Sequence, residues 1–236
     1  MNKLIIIFQL SELIAALAGT FYITKYRTPK IVRYFVYFLW LNFFVELFGN
    51  LPRLIQQYEY FYFLQDTFLE KNLWLYNTHL LISYSFYILF FYRNLSFKNF
   101  KKIIYYTYSV FIITSILNLL FSGVFFNALS SYSMIFGVLL ILISIFFYFY
   151  EVLRSDRVLN FGRDLVFYVA LGTMVLHLMV TPIIIYGKYN RKINIDYLQI
   201  RMIILYGAII FTYTCYTIGF IVCSRKNKSY SSSTLP

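Results

Sequence analysis

Residues 132–152, YSMIFGVLLILISIFFYFYEV, decide the fold. No side chain from Tyr132 to Tyr150 is charged. At 1.5 Å per residue, a helix of this length spans the roughly 30 Å hydrocarbon core of a bilayer. Six further predominantly apolar runs, at 4–23, 31–49, 73–92, 103–126, 165–186 and 197–223, have comparable length. The expected fold class is therefore all-α, a polytopic transmembrane helix bundle with seven spans. Residues 1–224 form the bundle in this reading, and 225–236 form a basic, Ser-rich disordered tail.

Composition points the same way. Hydrophobic residues make up 61% of the 236 and charged residues 13%, against about 25% charged in a soluble domain. Lipid is the natural solvent for such a chain. The formal charge of +12 comes from basic residues in the connections between apolar runs. That is a topology signal, and with no RNA-binding motif beside it a nucleic-acid partner is excluded. Fourteen Lys and Arg fall in connections on one side of the bundle and seven on the other. The positive-inside rule then places the N-terminus outside and the C-terminus in the cytoplasm. Residues 1–19 have a signal-peptide look, but Glu12 interrupts the apolar core and the run continues to Ile23.

Local signals set the boundaries. Thr28-Pro29 and Asn72 read as helix starts. The long connection 50–72 opens with Asn50-Leu51-Pro52. It repeats Leu54, Tyr58, Phe61 and Phe68 at helical spacing, which fits an amphipathic surface helix or an extension of the second span. Glu151 and Arg154 read as an interfacial ion pair, and Ala15, Ala16 and Gly19 as a close-packing face. Cys215 and Cys223 lie about 12 Å apart along one helix, too far for a disulfide.

Ionisable residues within a span are costly and raise a functional hypothesis. Glu12, Glu46, His79 and His177 come from four different runs. Counted from the outer ends, their depths are about 12, 6, 10 and 14 Å, so all four fall in the outer half. Asn42 shares a face with Glu46, Ser83 with His79, and Thr173 and Thr181 with His177; Tyr206, Tyr213 and Thr217 share a face of the last run. Glu12, Asn42, Glu46, His79 and His177 are the candidate ligand- or proton-binding residues. Glu46, His79 and His177 are also weak candidates for a metal, although spacing such as His-Glu-x-x-His is missing. No catalytic residue and no cofactor is expected, since no nucleophile elbow or cofactor motif occurs.

Asn72-Leu73-Trp74-Leu75-Tyr76-Asn77, the aromatic-and-glycine run 167–172 and Ile218-Gly219-Phe220 carry a resemblance. The chain resembles an uncharacterised group of short bacterial seven-helix integral membrane proteins. That resemblance covers most of the chain and implies multi-pass residence in the cytoplasmic (inner) membrane; it implies no activity. Microbial rhodopsins fit poorly, because the last run lacks a lysine, and ceramidase-like hydrolases fit poorly, because it lacks a histidine pair. The expectation is a non-enzymatic binding or sensory module with an outward-facing polar pocket. The alternatives are a small proton-coupled secondary transporter and an intramembrane metal-dependent lipid hydrolase. Expected partners are the lipid bilayer, a small ligand or lipid, and a cytoplasmic or membrane protein to carry any signal onward.

Overall fold

A computed structural model describes residues 2–64, 67–189 and 195–233. Its regular structure is helical throughout the described residues: α1 (Asn2–Lys25), α2 (Lys30–Gly49), α3 (Leu51–Gln57), α4 (Leu73–Asn94), α5 (Lys98–Phe121), α6 (Val124–Asn127), α7 (Ser131–Leu153), α8 (Leu165–Tyr189) and α9 (Ile195–Ser233). Six helices are long and apolar enough to cross a membrane: Ile6–Lys25, Lys30–Gln57, Lys98–Phe121, Ser131–Leu153, Leu165–Gly187 and Tyr197–Arg225. This is the build of a multi-pass membrane protein. Helix α4 has 22 residues, about 33 Å, but Asn77, Thr78, His79, Ser83 and Ser85 dilute its apolar character.

The contacts close a ring. Helix α1 packs on α2, α2 on α4, α4 on α7, α7 on α8, α8 on α9, and α9 back on α1. Helix α5 lies outside this ring, against α4 and α7. Lipid gives no hydrophobic drive between helices, so close packing and hydrogen bonds must hold such a ring. Much of that packing is aromatic. Phe35 meets Tyr216 edge-on with ring centroids 5.2 Å apart, and Phe38 stacks on Phe86 at 4.1 Å. Ala15 and Ala16 are fully buried. Gly137 lets α7 approach α4, because a Cβ there would sit 2.1 Å from the Tyr84 ring.

Several expected boundaries change. The run 103–126 is not one helix: α5 begins at Lys98 and ends at Phe121. Gly123 then takes a φ of 65°, a conformation glycine adopts without strain, and α6 follows. Asn77 of α4 fastens the turn that follows. Its Nδ2 donates to the carbonyls of Phe125 (3.0 Å) and Ala128 (2.8 Å), and its Oδ1 accepts from the Ser130 N–H (3.0 Å). One buried amide thus holds the whole 124–130 turn.

The connection 50–72 is not a single amphipathic helix. Its first part, α3, continues the line of α2, and short 3-10 turns follow at Glu59–Leu64 and Phe68–Glu70. Leu54 and Tyr58 are exposed while Ile55 is fully buried. The side chains of Phe61 and Phe68 lie outside the described residues. Asn72 does not cap α4 with its side chain; its Nδ2 donates to the Gly49 carbonyl at 2.7 Å, tying α4 to the end of α2. Pro29, rather than Thr28, occupies the N-cap position of α2. Helix α9 stays helical in backbone past Cys223 to Ser233, into the tail expected to be disordered.

Glu151 departs from its expected role. It is buried, and its carboxylate accepts from the backbone N–H groups of Ser96 (2.5 Å) and Phe97 (2.7 Å). These N–H groups immediately precede α5 and need an acceptor. Arg154 instead lies over the Tyr150 ring, 4.8 Å from its centroid. The expected ion pair is replaced by a carboxylate cap from α7 onto α5.

Candidate functional site

Four helices converge near the N-terminal ends of α1, α4 and α9 and the C-terminal end of α2. Glu12 comes from α1, Asn42 and Glu46 from α2, Tyr76, His79 and Ser83 from α4, and Tyr206 and Tyr213 from α9. Helical spacing sets the faces: Asn42 and Glu46 lie four residues apart, and so do His79 and Ser83.

The hydrogen bonds at this convergence have a direction. Asn42 Oδ1 lies 2.9 Å from His79 Nε2, and Asn42 Nδ2 donates to the Tyr213 hydroxyl at 3.2 Å. With Oδ1 as the acceptor, His79 carries its proton on Nε2. The Tyr213 hydroxyl has accepted from Asn42, so its own proton is free, and it is directed at the Glu12 carboxyl. Imidazole, amide and phenol therefore all donate toward Glu12. Ser83 Oγ stands 3.1 Å from His79 Nε2.

Glu12 is only 3% exposed, yet its Oε2 has no hydrogen-bond partner. Glu12 and Glu46 lie within electrostatic range of each other. Glu46 is half-buried and accepts from the Tyr76 hydroxyl at a long 3.5 Å. Phe8, one turn before Glu12, stacks on Tyr206 with centroids 5.2 Å apart. Tyr206 in turn senses the charges of Glu46 and of Arg53, which is exposed. The site is thus an acidic pair walled by aromatic rings.

His177 belongs to a second layer. Its ring meets Tyr84 and Tyr87 at 5.5 and 6.1 Å. It is buried, and its Nε2 has no partner. Beside it the Tyr87 and Tyr216 hydroxyls lie 3.0 Å apart, and Thr173 Oγ1 lies 2.8 Å from the Tyr216 hydroxyl. The two layers touch through the Tyr213 and Tyr216 rings, 5.6 Å apart.

The structure therefore joins Glu12, Asn42, Glu46 and His79 in one cluster and sets His177 in the adjoining layer. Among the described residues, no group of three or more His, Cys, Asp or Glu side chains could hold a metal ion. Thr217 turns back to its own helix, donating to the Tyr213 carbonyl at 2.9 Å. Tyr76, Tyr87 and Tyr216 were not among the candidates. The available signal was helical spacing: Tyr76 lies three residues before His79, and Tyr216 three after Tyr213. Comparison with protein-family models, with curated proteins and with solved structures gives no match to this chain.

Proposed function

We propose that this chain is a non-enzymatic binding or sensory protein of the bacterial cytoplasmic membrane. It has seven spans, α4 being the third in chain order beside the six long apolar helices, an outside N-terminus and a cytoplasmic C-terminus. Its site is the cluster of Glu12, Asn42, Glu46, His79, Tyr76 and Tyr213, open toward the outer face. One observation carries this reading. Glu12 is buried with an unpartnered carboxylate oxygen, while its neighbours Asn42 and His79 are hydrogen-bonded. Buried polar groups that serve packing alone are normally satisfied. An open valence at the meeting point of four helices suits a ligand that fills it.

The basic bias of the connections supports the orientation. Reporters active only in the cytoplasm, fused after Cys223, are expected to be active; activity of a periplasmic reporter there would sink the orientation. Native mass spectrometry of the purified chain tests the binding reading. A small molecule retained by the wild type and lost in Glu46→Gln is expected. A chain that retains nothing but bulk lipid would count against it. The directed relay from His79 through Asn42 and Tyr213 favours a second reading, a small proton-coupled transporter. Proton flux in liposomes that vanishes in Glu12→Gln would select that reading.

A further inference from the structure

The outer cluster brings two acidic side chains, Glu12 and Glu46, to one place. The two lie within electrostatic range of each other. Among the described residues, Arg53, which is exposed, acts on the wall of this cluster through Tyr206. A buried acid beside a second one is held either by keeping a proton or by a positive group that balances it, because an uncompensated buried charge is strongly destabilising. The relay from His79 through Asn42 to Tyr213 ends on Glu12 and supplies donors. It leaves Glu12 Oε2, on a residue 97% buried by its 3% exposure, without one.

The walls narrow the chemistry. An anion would meet two carboxylates. A hard metal ion needs six to eight oxygen ligands, or near-ideal octahedral geometry. Among the described residues no three His, Cys, Asp or Glu converge for one. The cluster offers aromatic rings instead: Tyr76 beside Glu46, Tyr213 beside Glu12, and the Phe8–Tyr206 stack one turn away along α1. Aromatic faces attract diffuse organic cations, and carboxylates form their strongest hydrogen bonds with N–H donors that carry charge.

We infer that this site binds an organic monocation, a protonated alkylamine, with its ammonium group between Glu12 and Glu46 and its alkyl flank against Phe8, Tyr76 and Tyr206. The ammonium donates to Glu12 Oε2 and to Glu46, which supplies the donor Oε2 lacks and balances one of the two charges. This inference rests on the outward-facing binding reading and names its ligand class.

The test uses the full chain in lipid nanodiscs, titrated by saturation-transfer difference NMR with n-butylammonium, n-butanol and n-butyrate. n-Butylammonium is expected to bind about ten-fold or more tightly than the isosteric alcohol, and n-butyrate not to compete. Glu12→Gln and Glu46→Gln should each weaken the ammonium about ten-fold and leave the alcohol unchanged. Tyr206→Leu should weaken it about two- to five-fold. Circular dichroism and size exclusion establish that each variant is folded. Should Glu12→Gln fail to fold, the half-buried Glu46→Gln decides alone. Equal affinity for alcohol and ammonium, or ammonium binding that ignores both glutamates, overturns the cation class. If native mass spectrometry still finds a molecule that Glu46→Gln loses, the binding reading survives that failure. If no probe binds and nothing is retained, both fall.

Discussion

Glu151 and Glu12 are buried to the same degree, 4% and 3% exposed, within long helices of one bundle, yet they are used in opposite ways. Both oxygens of Glu151 accept backbone N–H groups at the start of α5. Glu12 faces side chains only, and one oxygen is left open. The amides divide in the same manner. Asn77 of α4 clamps the backbone of 124–130 with donors and acceptor all engaged. Asn42 of α2 links two side chains, His79 and Tyr213. Burial alone does not separate the two pairs. The partner does: a backbone partner fixes architecture, because it replaces a bond the helix or turn lacks. Side-chain partners with a free valence leave the group available to something that comes and goes.

The comparison breaks most easily at the clamp. Asn77→Ala removes the donors to Phe125 and Ala128 and the acceptor for Ser130 N–H. Each buried group left unsatisfied costs about 1–3 kcal/mol, and relaxation of the turn recovers part of it. A net loss of about 2–4 kcal/mol is expected in unfolding titrations of the detergent-solubilised chain. Asn77→Asp should be no better, since it sets a carboxylate oxygen against the Ala128 carbonyl. Glu151→Gln keeps one acceptor and turns an NH2 group toward a backbone N–H, and should lose about 1–2 kcal/mol. If both variants stay within about 0.5 kcal/mol of the wild type, backbone partnership does not mark the architectural groups and the contrast fails.

What the sequence made legible follows the same division. Helix existence was readable wherever an apolar run was long, as at 132–152, because length and hydropathy are local quantities. The stop at Gly123 was not readable. Phe121-Ser122-Gly123-Val124-Phe125-Phe126 reads as continuous, whereas the carbonyls of the turn are held by Asn77, far away in sequence. Glu151 was misread for a similar reason. Arg154 stands one turn away in sequence, whereas the N–H groups of Ser96 and Phe97 lie more than fifty residues distant. Counting residues along each span puts Glu12, Glu46, His79 and His177 all in the outer half. Depth says nothing of the direction each helix faces, and so could not separate His177 from the others.

The smallest expected effect is the sharpest test. Glu12→Gln preserves shape at a buried position, where most substitutions cost about 0.5–3 kcal/mol. If Glu12 serves the packing, as Glu151 does, removing its charge should cost about as much as Glu151→Gln. The geometry says otherwise. The carboxyl group lacks a partner for Oε2 and lies within electrostatic range of a second acid, Glu46. A glutamine needs neither a proton nor a charge partner to be buried there, and neutral replacements for buried charges are often neutral or stabilising. The new amide can donate toward Glu46, which the carboxylate could not. Stability should therefore stay within about 0.5 kcal/mol of the wild type or rise, read in the same titration as the clamp variants. A loss comparable to that of Glu151→Gln would make Glu12 a structural group like Glu151. The open oxygen would then no longer argue for a ligand, and the outer cluster would become a second clamp.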